Sequence, residues 1–362
     1  MSIFSLKPDP VVGIDISSTA VKLLELSRSN KGIKVESYGM EYLPEKAIQD
    51  KNIVDIEVVG NVINRLVTRA KPRSQYAAVA VAGPTVITKT ITMDAGLSEN
   101  DIKEQIEMSP AQYLGQSENS EEIEFDYQVI GPNDKDESRV DVLLVASHSE
   151  TLNAYITALE MANLKVKVVD IEKYALENAF ITLAQSMPEI DEGDTVALIE
   201  VGATITSLRV LGEQKGEPKV IYTGEDLMFG GNQLTEQIQA RYDLSYEETN
   251  LAKRNNDLPD DYFKTILEPF KIDVAAQIKL MVEHYYKHSD YGKLSHILMA
   301  GGCASIPKLV DHVKDKVDGH VMTINPFSAM SIATRVSNHA LMNDAPALMI
   351  AYGLAHRTFD KY

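Results

Sequence analysis

The chain has 362 residues, 44% apolar and 24% charged, which is enough to bury the cores of two lobes and unlike a disordered segment. Its formal charge of -18 excludes nucleic acid and anionic membrane surfaces as main partners, because the average field repels both. A single cysteine, Cys303, excludes an internal disulfide framework and a Cys-rich metal site, and fits a reducing, cytoplasmic setting.

Residues 1–10 lack the charged start and apolar core of a signal peptide, and no apolar run reaches membrane-spanning length. Residues 11–26 (VVGIDISSTAVKLLEL) read as a strand, an acid, a small-residue turn and a second strand. A helix is predicted over 55–70, with Val58, Val59, Val62, Ile63, Leu66 and Val67 facing inward, then a strand at 76–82. Residues 84–165 look like an inserted subdomain. It holds a strand at 86–93, a helix started by Ser98 and Asp101, an acidic loop at 118–124 and a strand at 140–146. A helix at 150–162, a strand at 166–171 and a helix at 174–185 lead to an acidic linker at 187–194 (MPEIDEGD) that suits a lobe boundary. Residues 260–288 read as mostly helical, and 346–357 as a last apolar helix.

About half the chain after the first hairpin, residues 196–211 (VALIEVGATITSLRVL) repeat its design. Laid ungapped, Asp15 falls on Glu200, Ser17 on Gly202 and Thr19 on Thr204, so acid and turn coincide as well as the oily flanks. The turns 17–19 (Ser17, Ser18, Thr19) and 202–204 (Gly202, Ala203, Thr204) can aim N–H groups and hydroxyls at phosphate oxygens from opposite lobes. Asp15 could hold a metal-bound water, since Mg²⁺ prefers hard oxygen ligands and keeps part of its hydration shell. A third element, HILMAGG at 296–302, is a strand ending in Gly301 and Gly302, after which Ser305 can cap a helix. Gly230 and Gly231, before an amphipathic helix, form a fourth element of the same kind.

These elements in this order resemble the actin-like ATPase superfamily, whose two related lobes close on a nucleotide. Within it the chain is similar to the PilM family, cytoplasmic actin-like proteins of the type IV pilus inner-membrane assembly platform. The likeness covers nearly the whole chain and rests on VGIDISSTAVKLLEL (12–26), FDYQVIG (125–131), VDVLLVAS (140–147), VVDIEKYAL (168–176), FGGNQLTEQI (229–238), MAGGCASIP (299–307) and AYGLAHR (351–357). It implies an α/β, actin-like two-lobed fold with duplicated ribonuclease-H-like cores. The first lobe would be 1–190 with the insertion at about 84–165, the second 191–345, and 346–362 a C-terminal helix returning to the first. It further implies ATP with Mg²⁺ in the interlobe cleft, Gly301 and Gly302 facing the adenosine, and Lys253 on the nucleoside side. Asp15 and Glu200 would hold Mg²⁺ through water. Partners implied are the N-terminal peptide of the membrane protein PilN and other pilus platform and motor proteins, with attachment to the inner membrane through protein and self-association left open. Actin-like ATPases usually carry Asp where this chain has Glu200, a departure that bears on turnover more than on binding.

Asp170 and Glu172 sit where the first lobe passes into a connecting helix and could polarise attacking water; solvated acids at a helix start are the other reading. His284 and His288 have i, i+4 spacing but no evident third metal ligand, and Cys303 has no evident His partner. Lys22 reads as a strand-face charge, with phosphate contact as the alternative. A small-molecule kinase of the same superfamily would need a catalytic base that no stretch declares. An FtsA-like filament protein would need a C-terminal amphipathic targeting helix, whereas the sequence ends AYGLAHRTFDKY.

Overall fold

The computed structural model describes residues 10–30, 32–82, 86–114, 123–191 and 193–360. Most of the N-terminal segment, residues 118–122 of the acidic loop, the first two residues of the predicted insertion and Glu192 of the linker lie outside the described residues. Strands β1 (Val11–Ile16), β2 (Ala20–Ser29) and β3 (Gly32–Tyr42) form an antiparallel meander. A short hairpin, β4 (Ile48–Gln49) and β5 (Asn52–Ile53), leads into α1 (Ile56–Ala70). The helix starts where the Asp55 side chain accepts from the Val58 N–H and stops where Lys71 turns left-handed, its N–H returning to the Val67 carbonyl. After β6 (Tyr76–Val81) come β7 (Val86–Asp94), α2 (Glu99–Met108), α3 (Pro110–Leu114), β8 (Ile123–Asn133) and β9 (Asp136–His148). The predicted start at Ser98 is a full capping box with Asp101. The first half closes with α4 (Ser149–Glu160), β10 (Lys165–Ile171) and α5 (Glu172–Ala184).

The second half repeats the plan with β11 (Val196–Val201), β12 (Thr206–Gln214), β13 (Glu217–Thr223), α6 (Gly231–Tyr242), α7 (Tyr246–Asn255), α8 (Glu268–His288), β14 (His296–Ala300), α9 (Leu309–Lys314) and β15 (His320–Thr323). A two-residue strand β16 (Ser331–Ile332), then α10 (Asn338–Asp344) and α11 (Met349–His356), complete the chain. One sheet runs β10-β6-β1-β2-β3-β16 and the other β13-β12-β11-β14-β15. Both therefore contain an antiparallel meander continued on its first strand by two parallel strands, which is the ribonuclease-H-like order occurring twice. The duplication extends to register. Asp15 pairs with Lys22 in the first hairpin and Glu200 with Ser207 in the second, at the same offset along the chain.

Alternation along each strand sorts side chains into layers. Val12, Ile14, Ala77 and Val79 pack outward with α1 and α4, and Ala197, Ile199, Ile297 and Met299 pack outward with α6, α8 and α9. The alternate residues Val11, Ala78, Val196 and Leu198 face one shared core built around α5 and α11, so these two helices lie between the sheets. A fourth cluster, including Met93, Ile106, Val142 and Leu144, gives the three-stranded sheet β7-β9-β8 its own small core. The helix α4 packs with α1 on the first sheet rather than in that cluster. Among the described residues no helix is long and apolar enough to cross a membrane.

Two glycines let the middle layer close. A Cβ on Gly13 of β1 would lie 2.5 Å from the Ala351 carbonyl oxygen, and one on Gly353 of α11 would lie 2.0 Å from that of Ala175. Both obstacles are backbone and cannot rotate away. Gly353→Val is therefore expected to destabilise the protein by about 2–3 kcal/mol or more. Gly292→Ala, where a Cβ meets nothing within 4 Å, is the control. Matching melting temperatures for the two variants would refute the tight docking of α11.

Candidate functional site

The two sheets face each other across a cavity of ≈ 680 Å³. Its walls include Ser17, Ser18 and Thr19 from the first hairpin, Gly202, Ala203 and Thr204 from the second, and Glu200, Gly231, Lys253, Gly301, Gly302 and Glu172. The turns are built alike: the Ser17 N–H donates to the Ala20 carbonyl at 3.0 Å and the Gly202 N–H to that of Ile205 at 2.9 Å. Local sequence explains this, since each acid-bearing strand ends in small residues that can reverse without burying a large side chain.

Asp15 lies beneath the first turn, 1% exposed. Lys22, which lines the cavity, meets its Oδ2 at 2.8 Å, while Oδ1 is buried with no hydrogen-bond partner. Gly301 has φ +86, and a Cβ there would stand 2.3 Å from the Val201 carbonyl oxygen, so only glycine lets the corner close on β11. At Gly302 a Cβ would meet nothing within 4 Å, because this residue faces open cavity. Gly230 does not line the cavity; it lets α6 approach the second turn, with a Cβ position 2.5 Å from the Gly202 carbonyl oxygen. The N–H groups of Gly231 and Asn232 donate to the carbonyls of Gly202 and Ala203, so the start of α6 props the turn.

Two expectations change in three dimensions. Ser305 does not cap a helix: residues Gly302–Ser305 form a single 3-10 turn, the Ser305 hydroxyl donates to the Asn343 carbonyl, and α9 starts later with no side-chain cap. Asp170 is not brought to the cavity, because Arg357 holds its carboxylate with Nη2 at 2.6 Å and Nε at 2.8 Å. Its neighbour Glu172 does reach the cavity, paired with Lys51 at 2.9 Å. Burial, followed by the charges of Asp15 and Glu200, raises the Glu172 carboxyl above its ordinary range despite Lys51.

Lys253 donates to the Thr235 hydroxyl at 2.7 Å, and desolvation pushes its ammonium down to about 8. Beside it the Cys303 thiol is buried and pushed up to about 12, which makes it a packing group and not a nucleophile. The rings of His284 and His288 stack at 4.0 Å, and among the described residues no three His, Cys, Asp or Glu side chains gather to hold a metal.

Sequence reasoning missed Lys51, Arg209 and the Arg254–Tyr42 contact. Arg209 of β12 lines the cavity and lies 3.6 Å from Glu177 of α5, and the Arg254 guanidinium sits 4.6 Å from the centre of the Tyr42 ring across the two halves. Only Lys51 left a local trace, as the middle of a polar QDKN stretch that could have been read as a two-residue hairpin turn.

A solved PilM-PilN type IV pilus biogenesis complex superposes on 97% of this chain and 99% of its own, with TM-score 0.74 and 19% identity. The ethanolamine utilization protein EutJ from Carboxydothermus hydrogenoformans matches 97% of this chain and 91% of its own, with TM-score 0.52 and 15% identity. At such identities the likeness shows the shared actin-like fold. The sequence profile of type IV pilus assembly protein PilM matches residues 13–359, and the chain belongs to that family.

Proposed function

We propose that this protein binds ATP with Mg²⁺ between its two sheets and serves as a cytoplasmic scaffold of type IV pilus assembly that captures the N-terminal peptide of PilN. The observation that carries the nucleotide reading is the pair of equivalent turns converging on one cavity. The residues present fit the ligand. Turns of this kind suit phosphate oxygens, and the orphaned Asp15 Oδ1 suits the hydration shell of a cation. Asp15 and Glu200 would hold Mg²⁺ through water, and the bound ion would neutralise phosphate charge. Gly301 and Gly302 leave room for the adenosine, with Lys253 on the nucleoside side and Gly231 closing the wall. In this reading the first lobe is 1–190, the second 191–345, and 346–362 returns to the first.

The same site argues for slow turnover. Asp170 is held by Arg357 away from the cavity, and Glu200 is one methylene longer than the Asp usual in actin-like ATPases. A weakly placed base and a displaced metal support slow a reaction that depends on positioning. Membership of the PilM family and the likeness to a PilM-PilN complex support the partner reading. The peptide would lie in a groove between the core of the first lobe and the inserted sheet; on the inserted subdomain Met108 of α2 and Ile130 of β8 are 83% and 54% exposed. Main-chain pairing with apolar side chains in pockets would give binding that depends little on salt. Attachment to the inner membrane through PilN, and contacts with other platform and motor proteins, belong to the same proposal.

Calorimetry is expected to detect Mg-ATP binding that is lost in Gly302→Arg with folding retained; a folded variant of unchanged affinity would place the adenosine elsewhere. Steady-state phosphate release by the isolated protein is expected to stay well below kinase rates, and turnover of about 1–100 per second would overturn the scaffold reading. Fluorescence anisotropy with a synthetic PilN tail should report binding that changes little between low and high salt. Absence of binding in every nucleotide state would remove the partner.

A further inference from the structure

We propose that Lys51 is the residue that reads the terminal phosphate of the nucleotide, exchanging its ion pair with Glu172 for that phosphate. The inference rests on the reading of the cavity as an ATP site, and it begins with the backbone. Ile48 pairs with Ile53 and Gln49 with Asn52, so Asp50 and Lys51 are the two central residues of a tight hairpin. Both are left-handed, with φ 48° and 67°. That is the type I′ arrangement, in which glycine is the favoured second residue because a side chain there crowds the backbone. A lysine at this position breaks the local rule, and departures of that kind concentrate at functional sites.

The side chain explains the departure. Lys51 lines the cavity and its Nζ reaches Glu172 at 2.9 Å, while the Tyr155 hydroxyl donates to its backbone carbonyl at 3.1 Å and fixes the turn beside the cleft. Asp15 and Glu200 add their fields to that of Glu172 at the ammonium, and together they outweigh its desolvation and keep it charged. Lys22, another first-lobe lysine in the cavity, has a partner only 1% exposed. Glu172 differs, because its side chain is 14% exposed and lines the cavity, so the ammonium can leave without stranding a fully buried charge. A triphosphate brings negative charge into a cavity that Glu172 and Glu200 line beside Lys51. The Lys51 ammonium, projecting from a short hairpin into that cavity, is placed to meet it.

Turn chemistry supplies the test. Lys51→Gly gives the turn its preferred residue, and Lys51→Asn tolerates the same φ, yet both remove the ammonium. Binding of ATP and of ADP, each with Mg²⁺, would be measured by calorimetry on the full chain and the variants, with melting curves to confirm folding. Both neutral variants are expected to lose about tenfold or more in ATP affinity while ADP affinity stays within about twofold. Lys51→Arg should retain most of the preference for ATP. Equal losses for ATP and ADP, or no loss for ATP, would overturn the assignment of Lys51 alone. Failure of the unsubstituted protein to bind either nucleotide would overturn the ATP reading, and this inference with it, before any variant is compared.

Discussion

The docking of α11 and α5 between two sheets organises the rest of the molecule. From Met349 to Ala355 every residue of α11 is buried, and Gly13 and Gly353 bring its backbone to within contact of β1 and α5. Because this layer serves both sheets, the inner faces of the two repeated units share one hydrophobic core. That common core holds the mouths of the two hairpins toward each other. It also sets the start of α5, and hence Glu172, at the cavity, while Arg357 beyond the end of α11 draws Asp170 away.

Charge inside the cleft follows from that geometry. Glu200 and Glu172 face one space above the buried Asp15, and Lys22 of β2 and Lys51 of the β4-β5 hairpin pair with Asp15 and Glu172. Charges act over longer range on a buried group than on a surface, which is why the Glu172 carboxyl responds to Asp15 and Glu200 as well as to its partner. Further contacts tie one half to the other: Arg209 to Glu177, and Arg254 over Tyr42. Each reaches from the second half to the first beside the cavity, so a change in the separation of the sheets must alter them.

Inserted into this frame, the sheet β7-β9-β8 carries a separate small core. Its independence from the shared layer means that it can vary in sequence and surface without disturbing the hairpins. The helix α4 that follows joins α1 on the first sheet, anchoring the return of the chain.

How much was legible in the sequence depended on range. Strand alternation, the small residues after Asp15 and Glu200, and the Ser98 capping box are short-range patterns, so both hairpins, the helix α1 and the likeness between the halves could be read directly. Glycine pairs marked Gly301 and Gly302 for the same reason, since a strand that ends in bare backbone declares a close approach. The sequence did not separate Gly230, which supports a turn, from Gly231, which lines the cavity, because both precede the same helix. Nor could it tell Asp170 from Glu172: the two differ by their partners, Arg357 and Lys51, which come from distant parts of the chain. Local periodicity and turn chemistry therefore determined the elements, the two turns and the glycine corner of the cavity wall. Tertiary packing decided which charges meet there, because an ion pair depends on distances that no local pattern encodes.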